Sequence, residues 1–236
     1  MKQLIRLTVS DFKLIFRDPS LRIFLVMPVL IFLVVDLLVP YLIKQYEVVN
    51  EYVPYVLMSS VTQVSQMFGF IYGMVLIDEK DTQVAKIYGV LPISKKGYVL
   101  IRLIIPIFLS IGITWLLLIT LPFYQLSLVD TLVLSTAIGL ITAVYPLIVS
   151  ILSKNKMEGM TWIKIINLLM IIPVVSYFLP ENFSLFFGVF PSYWIFEALN
   201  QIIVEKAFIG FLVLGTIYLI VLLFITIRKF SKMHFV

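Results

Sequence analysis

Apolar residues run through this chain in long blocks, and the polar residues are gathered between them. Six blocks stand out, at residues 23–43, 53–77, 99–121, 128–152, 162–179 and 207–227. A helix rises about 1.5 Å per residue, so each block covers a hydrocarbon core of roughly 30 Å, the fifth only just. Pro28, Pro40, Pro106, Pro146 and Pro173 fall inside the blocks. Membrane helices tolerate proline where neighbouring helices satisfy the freed carbonyls. Two shorter stretches carry a different pattern. Residues 2–17 gather Lys2, Arg6, Lys13 and Arg17 in one sector of a helical wheel, beside a stripe of Ile5, Val9, Phe12 and Phe16. Residues 84–91 set Val84, Ile87, Tyr88 and Leu91 at i, i+3, i+4 and i+7, the spacing of one short amphipathic helix.

Composition agrees with spanning helices. The chain is 61% hydrophobic and 13% charged, against roughly a quarter charged in ordinary soluble domains. The expected class is therefore an all-α, integral membrane protein forming one domain over residues 1–236. With no cysteine there is neither a disulfide nor a thiolate metal site. The first twenty residues are too charged and interrupted for a cleavable signal peptide, so the first span is expected to insert uncleaved.

The charges set an orientation. Sixteen of the 18 Lys and Arg residues fall in the N-terminal segment, the second and fourth connections and the C-terminal tail, leaving only Lys44 and Lys206 on the other side. The positive-inside rule then places both termini in the cytoplasm. The acidic residues divide evenly, with Asp36 alone inside a span. The basic excess is thus topological, its expected contact being anionic lipid headgroups and not nucleic acid. The amphipathic N-terminus fits a helix lying in the cytoplasmic interface, broken at Asp18-Pro19; a plain topology-setting tail fits it too.

The densest charge lies between the second and third blocks, in "IDEKDTQVAKIYGVLPISKKGYVLIRL" (77–103). Asp78, Glu79 and Asp81 are expected in the first turn of the short helix, where the macrodipole favours negative charge. Gly89 is a candidate terminator, and Ser94 a candidate N-cap for the third span. A short helix with an apolar stripe, held between two spans, needs a partner surface, lipid or protein; the acids beside it argue against anionic lipid as the only partner and favour a protein socket.

This stretch resembles the segment between the second and third helices of ABC type-2 exporter permeases, through Glu79, Leu91, Pro92, Ser94, Tyr98 and Arg102. "RDPSLRIFLVMPVLIF" resembles the family's entry into its first span, through Arg17, Asp18, Pro19 and Pro28. "FPSYWIFEAL" (190–199) resembles the outer segment before its last helix. The nearest subgroup is the drug-export permeases typified by fluoroquinolone exporters. The resemblance implies six transmembrane helices with an elbow helix (1–19, carrying Ile5, Phe12, Arg17, Asp18 and Pro19) and short re-entrant outer helices (180–206). It also implies a coupling segment (78–97), with Asp78, Glu79, Val84, Ile87, Tyr88, Leu91, Pro92 and Ser94 meeting a separately encoded ATPase. Two permeases, a second copy or a paralogue, and two ATPase subunits would make the transporter, with ATP-Mg on the ATPase and no cofactor on this chain. Thr82-Gln83 stands where many relatives have a glycine-containing turn.

Chemistry of its own is not expected. The sequence has no G-x-x-x-x-G-K-[ST] phosphate loop, and its one histidine, His234, joins no catalytic or metal-ligating constellation. The second block is the least apolar. Ser59, Gln63, Gln66 and Gly73 follow one side of a helix, with Thr62, Gly69, Phe70 and Tyr72 nearby. Two readings fit this face: helix packing through small residues and amides, or the lining of a translocation cleft. Family precedent pairs it with the fifth helix, whose Asn167, Met170, Val174 and Tyr177 share a face. A cleft lined by methionine, aromatics and a few amides suits amphipathic drugs, lipids or peptides better than ions. Asp36 also has two readings, a pathway acid or a carboxylate near the outer interface. The aromatic outer segment is either an exit cap or an interfacial belt. A membrane scaffold or immunity component of the same fold, and an ATP-independent carrier, remain the rival functions.

Overall fold

The computed structural model describes residues 13–90, 94–122 and 124–234. Ile5 and Phe12 of the expected elbow, and Leu91 and Pro92 of the coupling segment, lie outside these residues. The described elements are helical, and six of the helices are long and apolar enough to cross a membrane. The chain is thus a multi-pass membrane protein, and its two ends are named below by charge: the basic end and the opposite end.

The first span joins α1 (Pro19–Leu33) to α2 (Val39–Gln45) through a π turn, Val34–Leu38. Pro40 has no N–H for the carbonyl four residues back, and its ring crowds that carbonyl. The Val39 N–H instead reaches back to Val34, so the turn widens as π segments do. Asp36 sits within it, half-buried, and among the described residues no hydrogen bond or ion pair reaches its side chain. Arg17 is exposed, and the Asp18 carboxylate accepts from the Leu21 N–H at 3.4 Å, capping α1 behind Pro19.

The second span is α3 (Val53–Asp81), followed by the short α4 (Val84–Val90). This differs from the expectation for the acidic cluster. Nothing breaks the helix between Ile77 and Asp81, so Asp78, Glu79 and Asp81 close the second span and do not open the short helix. They stand at a helix C-terminus, where the macrodipole opposes negative charge, and need cations from elsewhere. The chain turns at Thr82-Gln83, with Gln83 in the left-handed region at φ 62°. Glycine would take that conformation more easily.

Three spans begin earlier than their apolar runs, the first span among them, at Pro19. The third, α5 (Lys95–Ile119), starts from Ser94, whose Oγ accepts from the Gly97 N–H at 3.3 Å. The fourth, α6 (Leu128–Leu152), has the expected limits. The fifth, α7 (Lys156–Ile171), begins at Lys156 and not at residue 162 because Asn155 caps it. The Asn155 Oδ1 accepts from the Glu158 N–H at 2.9 Å, while Glu158 accepts from the Lys154 N–H at 2.8 Å. This is a close relative of the reciprocal capping box. A 3-10 turn, Ile172–Phe178, completes that span from Pro173 onward. The outer segment forms α8 (Glu181–Ser184), a 3-10 turn and α9 (Pro191–Ile203); α10 (Ile209–Met233) is the sixth span.

The core lies where α3 and α6 meet. Of the spanning windows, 89% of α3 and 72% of α6 are buried, against 17% of the first span. Glycine permits the closest approach. A Cβ on Gly69 would lie 3.0 Å from the Tyr145 side chain, and one on Gly73 would lie 3.4 Å from the Pro146 backbone. Hydroxyls cross-link these helices and α5: Ser65 Oγ lies 2.8 Å from Ser110 Oγ of α5 and donates to the Ile138 carbonyl of α6 at 3.1 Å, while Thr142 of α6 donates to the Ser65 carbonyl at 3.1 Å. Such bonds contribute about 0.6 kcal/mol each within a membrane. α9 packs its buried face, through Ile195, Phe196 and Leu199, against α10 and the core.

Candidate functional site

Two places concentrate polar or cavity-forming groups, one at the basic end and one within the spans. At the basic end, the last turn of α3 points Glu79 inward. Nη1 of Arg102, from the second turn of α5, lies 2.7 Å from both carboxylate oxygens. The Tyr98 hydroxyl donates to Glu79 Oε2 at 2.6 Å and in turn accepts from Arg102. The Arg102 side chain is 1% exposed and Glu79 12%, so neither charge is left to water. His234, just past α10, stacks on Phe230 with ring centroids 4.3 Å apart and brings Nε2 to 3.5 Å from Glu79. Burial holds the His234 imidazole below its ordinary range; Glu79 acts against that shift, and Arg102 and Lys80 add to it. The second, third and sixth spans therefore meet at one carboxylate.

The short helix α4 touches this cluster. Its Tyr88 ring lies 5.3 Å from the Tyr98 ring, and Ala85 is buried. Of the expected coupling residues, Glu79 and Tyr88 converge here. Val84 is half-buried, Ile87 belongs to α4, and Ser94 serves as the α5 cap. Asp78 turns the other way, to Lys156 at 3.3 Å, with both side chains about two-fifths exposed. A pair that exposed contributes about 0–1 kcal/mol. Tyr98 and Arg102 were legible as part of the motif but not as the partners of Glu79.

Within the spans, α1, α3 and α7 line a half-open cavity of about 240 Å³ whose wall includes Phe24, Met67, Phe70, Met160, Lys164 and Asn167. The Phe24 and Phe70 rings meet at 4.2 Å and an angle of 55°. Asn167 is oriented from behind, its Oδ1 accepting from the Tyr145 hydroxyl at 2.6 Å. The expected path residues divide around this cavity. Phe70 and Asn167 line it together. Ser59 and Gln63 are half-buried elsewhere on α3, and Gln66 is fully buried with neither amide atom partnered among the described residues. Met170 is buried, with its carbonyl accepting from Ser192 at 2.7 Å. Val174 packs on the core, and the Tyr177 ring lies tilted against Tyr55 with centroids 5.6 Å apart.

Lys164 is the residue that sequence reasoning misplaced. It was grouped with the charges flanking the fifth span, but it stands two turns inside α7. Met160, Ile163, Lys164 and Asn167 recur at i, i+3, i+4 and i+7, so one face of α7 supplies much of the wall. An ammonium inside a span is a functional candidate by default.

A multi-pass helical protein with an apolar, amide-marked cavity between spans and a charged junction at one end has the form of a membrane permease. The chain matches, over residues 11–227, the family described as "Fluoroquinolones export permease protein Rv2686c-like", and it belongs to that family of drug-export permeases. Its similar relatives include the fluoroquinolones export permease proteins Rv2686c and MT2760 of two Mycobacterium tuberculosis strains, H37Rv and CDC 1551. Each is 27% identical over 97 residues, covering 41% of this chain and 38% of the relative. The aligned stretch thus spans well under half the length of either relative. No solved structure matches. Six spans and this family make it a multi-pass protein of the plasma membrane.

Proposed function

We propose that the chain is the membrane subunit of an ATP-driven exporter, with ATP-Mg bound and hydrolysed on a separately encoded ATPase. The observation that carries this reading is the contact path from α4 into the bundle. Tyr88 leans on Tyr98, Tyr98 and Arg102 hold Glu79, and His234 closes the group from the sixth span. A partner pushing on α4 would load three spans at once, because a packed and ion-paired junction moves as a unit. In this reading the basic end and both termini face the cytoplasm, α4 is the coupling helix, and the N-terminal segment is the elbow in the lipid interface. The outer segment from α8 to α9 closes the exit. Two such permeases, identical or paralogous, assemble with two ATPases in the bilayer.

The cavity of Phe24, Met67, Phe70, Met160 and Asn167 is the entry to the path. Its methionine and aromatic walls adapt to amphipathic compounds of varied shape, and Lys164 offers an ammonium to any acidic group they carry. The relatives' names point to drug export as well. The test is purification of the chain from its native membrane in mild detergent, followed by transport with whatever co-purifies. A bound P-loop ATPase, and at least a tenfold loss of ATP-driven transport in Tyr88→Ala with normal insertion, is the expected result. Isolation without an ATPase, or full-rate transport by that variant, would overturn the reading.

A further inference from the structure

A second cavity, of about 190 Å³, opens at the basic end among the ends of three spans. Unlike the cavity between the spans, its wall is rich in nitrogen donors: Lys80 from the last turn of α3, Gln83 from the turn, Lys86 from α4, Lys154 from just past α6, and His234 from past α10. Lys80 is fixed in place. Its Nζ donates to the Ser150 and Ser153 carbonyls at 3.2 and 2.6 Å, which occupies two of its three donors and neutralises the C-terminal end of α6. The Lys86 and Lys154 side chains are exposed, and among the described residues no hydrogen bond or ion pair is made by either ammonium. Gln83, at its left-handed φ, spends one amide N–H on the Lys80 carbonyl at 3.4 Å.

The carboxylates nearby stand behind the wall and have other partners too: Glu79 reaches His234 at 3.5 Å, and Glu158 favours the charged form of Lys80. Glu79 is held by Arg102 and Tyr98, Asp78 faces Lys156, and Glu158 accepts from the Lys154 backbone N–H. Asp81 is exposed and no acidic side chain lines the cavity. Three ammonium groups thus border one cavity with no carboxylate in its wall, a concentration of positive charge that favours an entering anion.

We propose that this cavity binds a phosphate group, presented by an anionic phospholipid of the leaflet at the basic end. Three ammoniums and an amide suit the several acceptor oxygens of a phosphate. The depth is that of headgroups. Lys80 lies three residues past Ile77, the last buried apolar residue of α3, or about 4.5 Å along the helix. Lys154 follows Leu152 as closely. A phosphate here ties α4, through Lys86, to the ends of the second and fourth spans, and so sets how α4 is presented. That consequence rests on the coupling reading above; the binding site does not.

The full chain in phosphatidylcholine nanodiscs, with or without phosphatidylglycerol, provides the test, with bound lipid read by native mass spectrometry. Wild type is expected to keep phosphatidylglycerol bound. Lys86→Gln/Lys154→Gln should hold it roughly 30-fold more weakly, given the attraction of each cation near a phosphate-bearing surface. Lys86→Arg/Lys154→Arg should retain it, as should Lys229→Gln/Lys232→Gln, which alters exposed lysines outside the cavity. In a second arm, inorganic phosphate is titrated into phosphatidylcholine discs by calorimetry. Binding there that the Gln pair abolishes supports the site and names free phosphate as its source. Equal retention by the Gln pair and wild type, or equal loss in the Lys229/Lys232 control, overturns the proposal. So does failure of both phosphate probes while the Gln pair loses a bound ATPase, which would make the lysines a protein contact. Because the lipid readout needs no transport, an inactive transporter and an empty phosphate site give different results.

Discussion

The first and second spans invert the rule that soluble proteins teach. The first, Leu21–Gln45, is the most apolar of the six and has only 17% of its spanning window buried; the second lies in the least apolar candidate window, Glu47–Asp81, and is 89% buried. In water the greasier helix would be the inner one. Lipid removes that driving force, since acyl chains solvate leucine as well as another helix does, and packing with polar bonding decides what goes inside. The second span carries Ser65, Gly69, Gly73 and Glu79 for that purpose, and the first carries a largely unbroken apolar surface for lipid or for another protein. Between these two spans, the more polar one is the interior one.

The largest break in that contrast comes at the charged end of the second span. Removing one partner of a buried ion pair leaves the other charge uncompensated, at a cost of about 3–5 kcal/mol. Arg102→Met strands Glu79 in this way and is expected to abolish stable folding or to lower the melting temperature in detergent by many degrees. Arg102→Met combined with Glu79→Gln removes both charges and should recover much of the loss. The check is the melting curve of all three variants beside wild type. If the single variant melts with wild type, the pair is not buried in the folded protein.

The middle of the helix tests close packing and carries a smaller effect. A Cβ at Gly69 meets Tyr145 at 3.0 Å, and what it meets is the base of that side chain, which cannot swing away. Gly69→Ala should therefore cost about 1–3 kcal/mol, in the range of overpacked cores. Gly73→Ala, with 3.4 Å to the Pro146 backbone, should cost less. Gly112 in the third span has nothing within 4 Å of an added Cβ, so Gly112→Ala should be neutral or slightly stabilising through helix propensity. Detergent melting of the three alanine variants should rank them Gly69, Gly73, Gly112 from most to least harmful.

How much of this was legible follows from what each signal depends on. Span number came from block length alone, and the six blocks correspond to six spanning helices. Helix ends did not, because they depend on caps and turns outside the apolar runs. Asn155 starts the fifth span early, and the absence of a breaker after Ile77 lets α3 carry the acids that pattern reading gave to the next helix. Phe70 and Asn167 were set on facing helices by the family resemblance and not by periodicity, and the structure puts them on one cavity. Met170 and Val174 share a face with Asn167 on a regular wheel, but the 3-10 turn from Ile172 changes the pitch after Met170. Lys164 escaped because a lysine near a span's edge reads as a topological charge until the cap fixes where the helix starts. Glu79 and Arg102 belonged visibly to one motif, yet a sequence separation of 23 residues says nothing about whether two charges meet.

The smallest expected effect is the one that would most alter the comparison. Leu37, in the π turn of the first span, is 64% exposed. Leu37→Ala removes apolar surface that faces lipid, where the methylenes are solvated whether or not the protein folds. The change should stay within about 0.5 kcal/mol, as surface substitutions do. It is measured best twice, by melting of the dispersed protein and by the oligomer distribution in nanodiscs. No change in either leaves the first span as lipid-facing surface, and the contrast with the second stands as a contrast between solvent and core. A cost of 2 kcal/mol or so confined to the assembled state would mean something different. The apolar face of the first span would then be an interface between two permeases, and its low burial a property of one protomer considered alone.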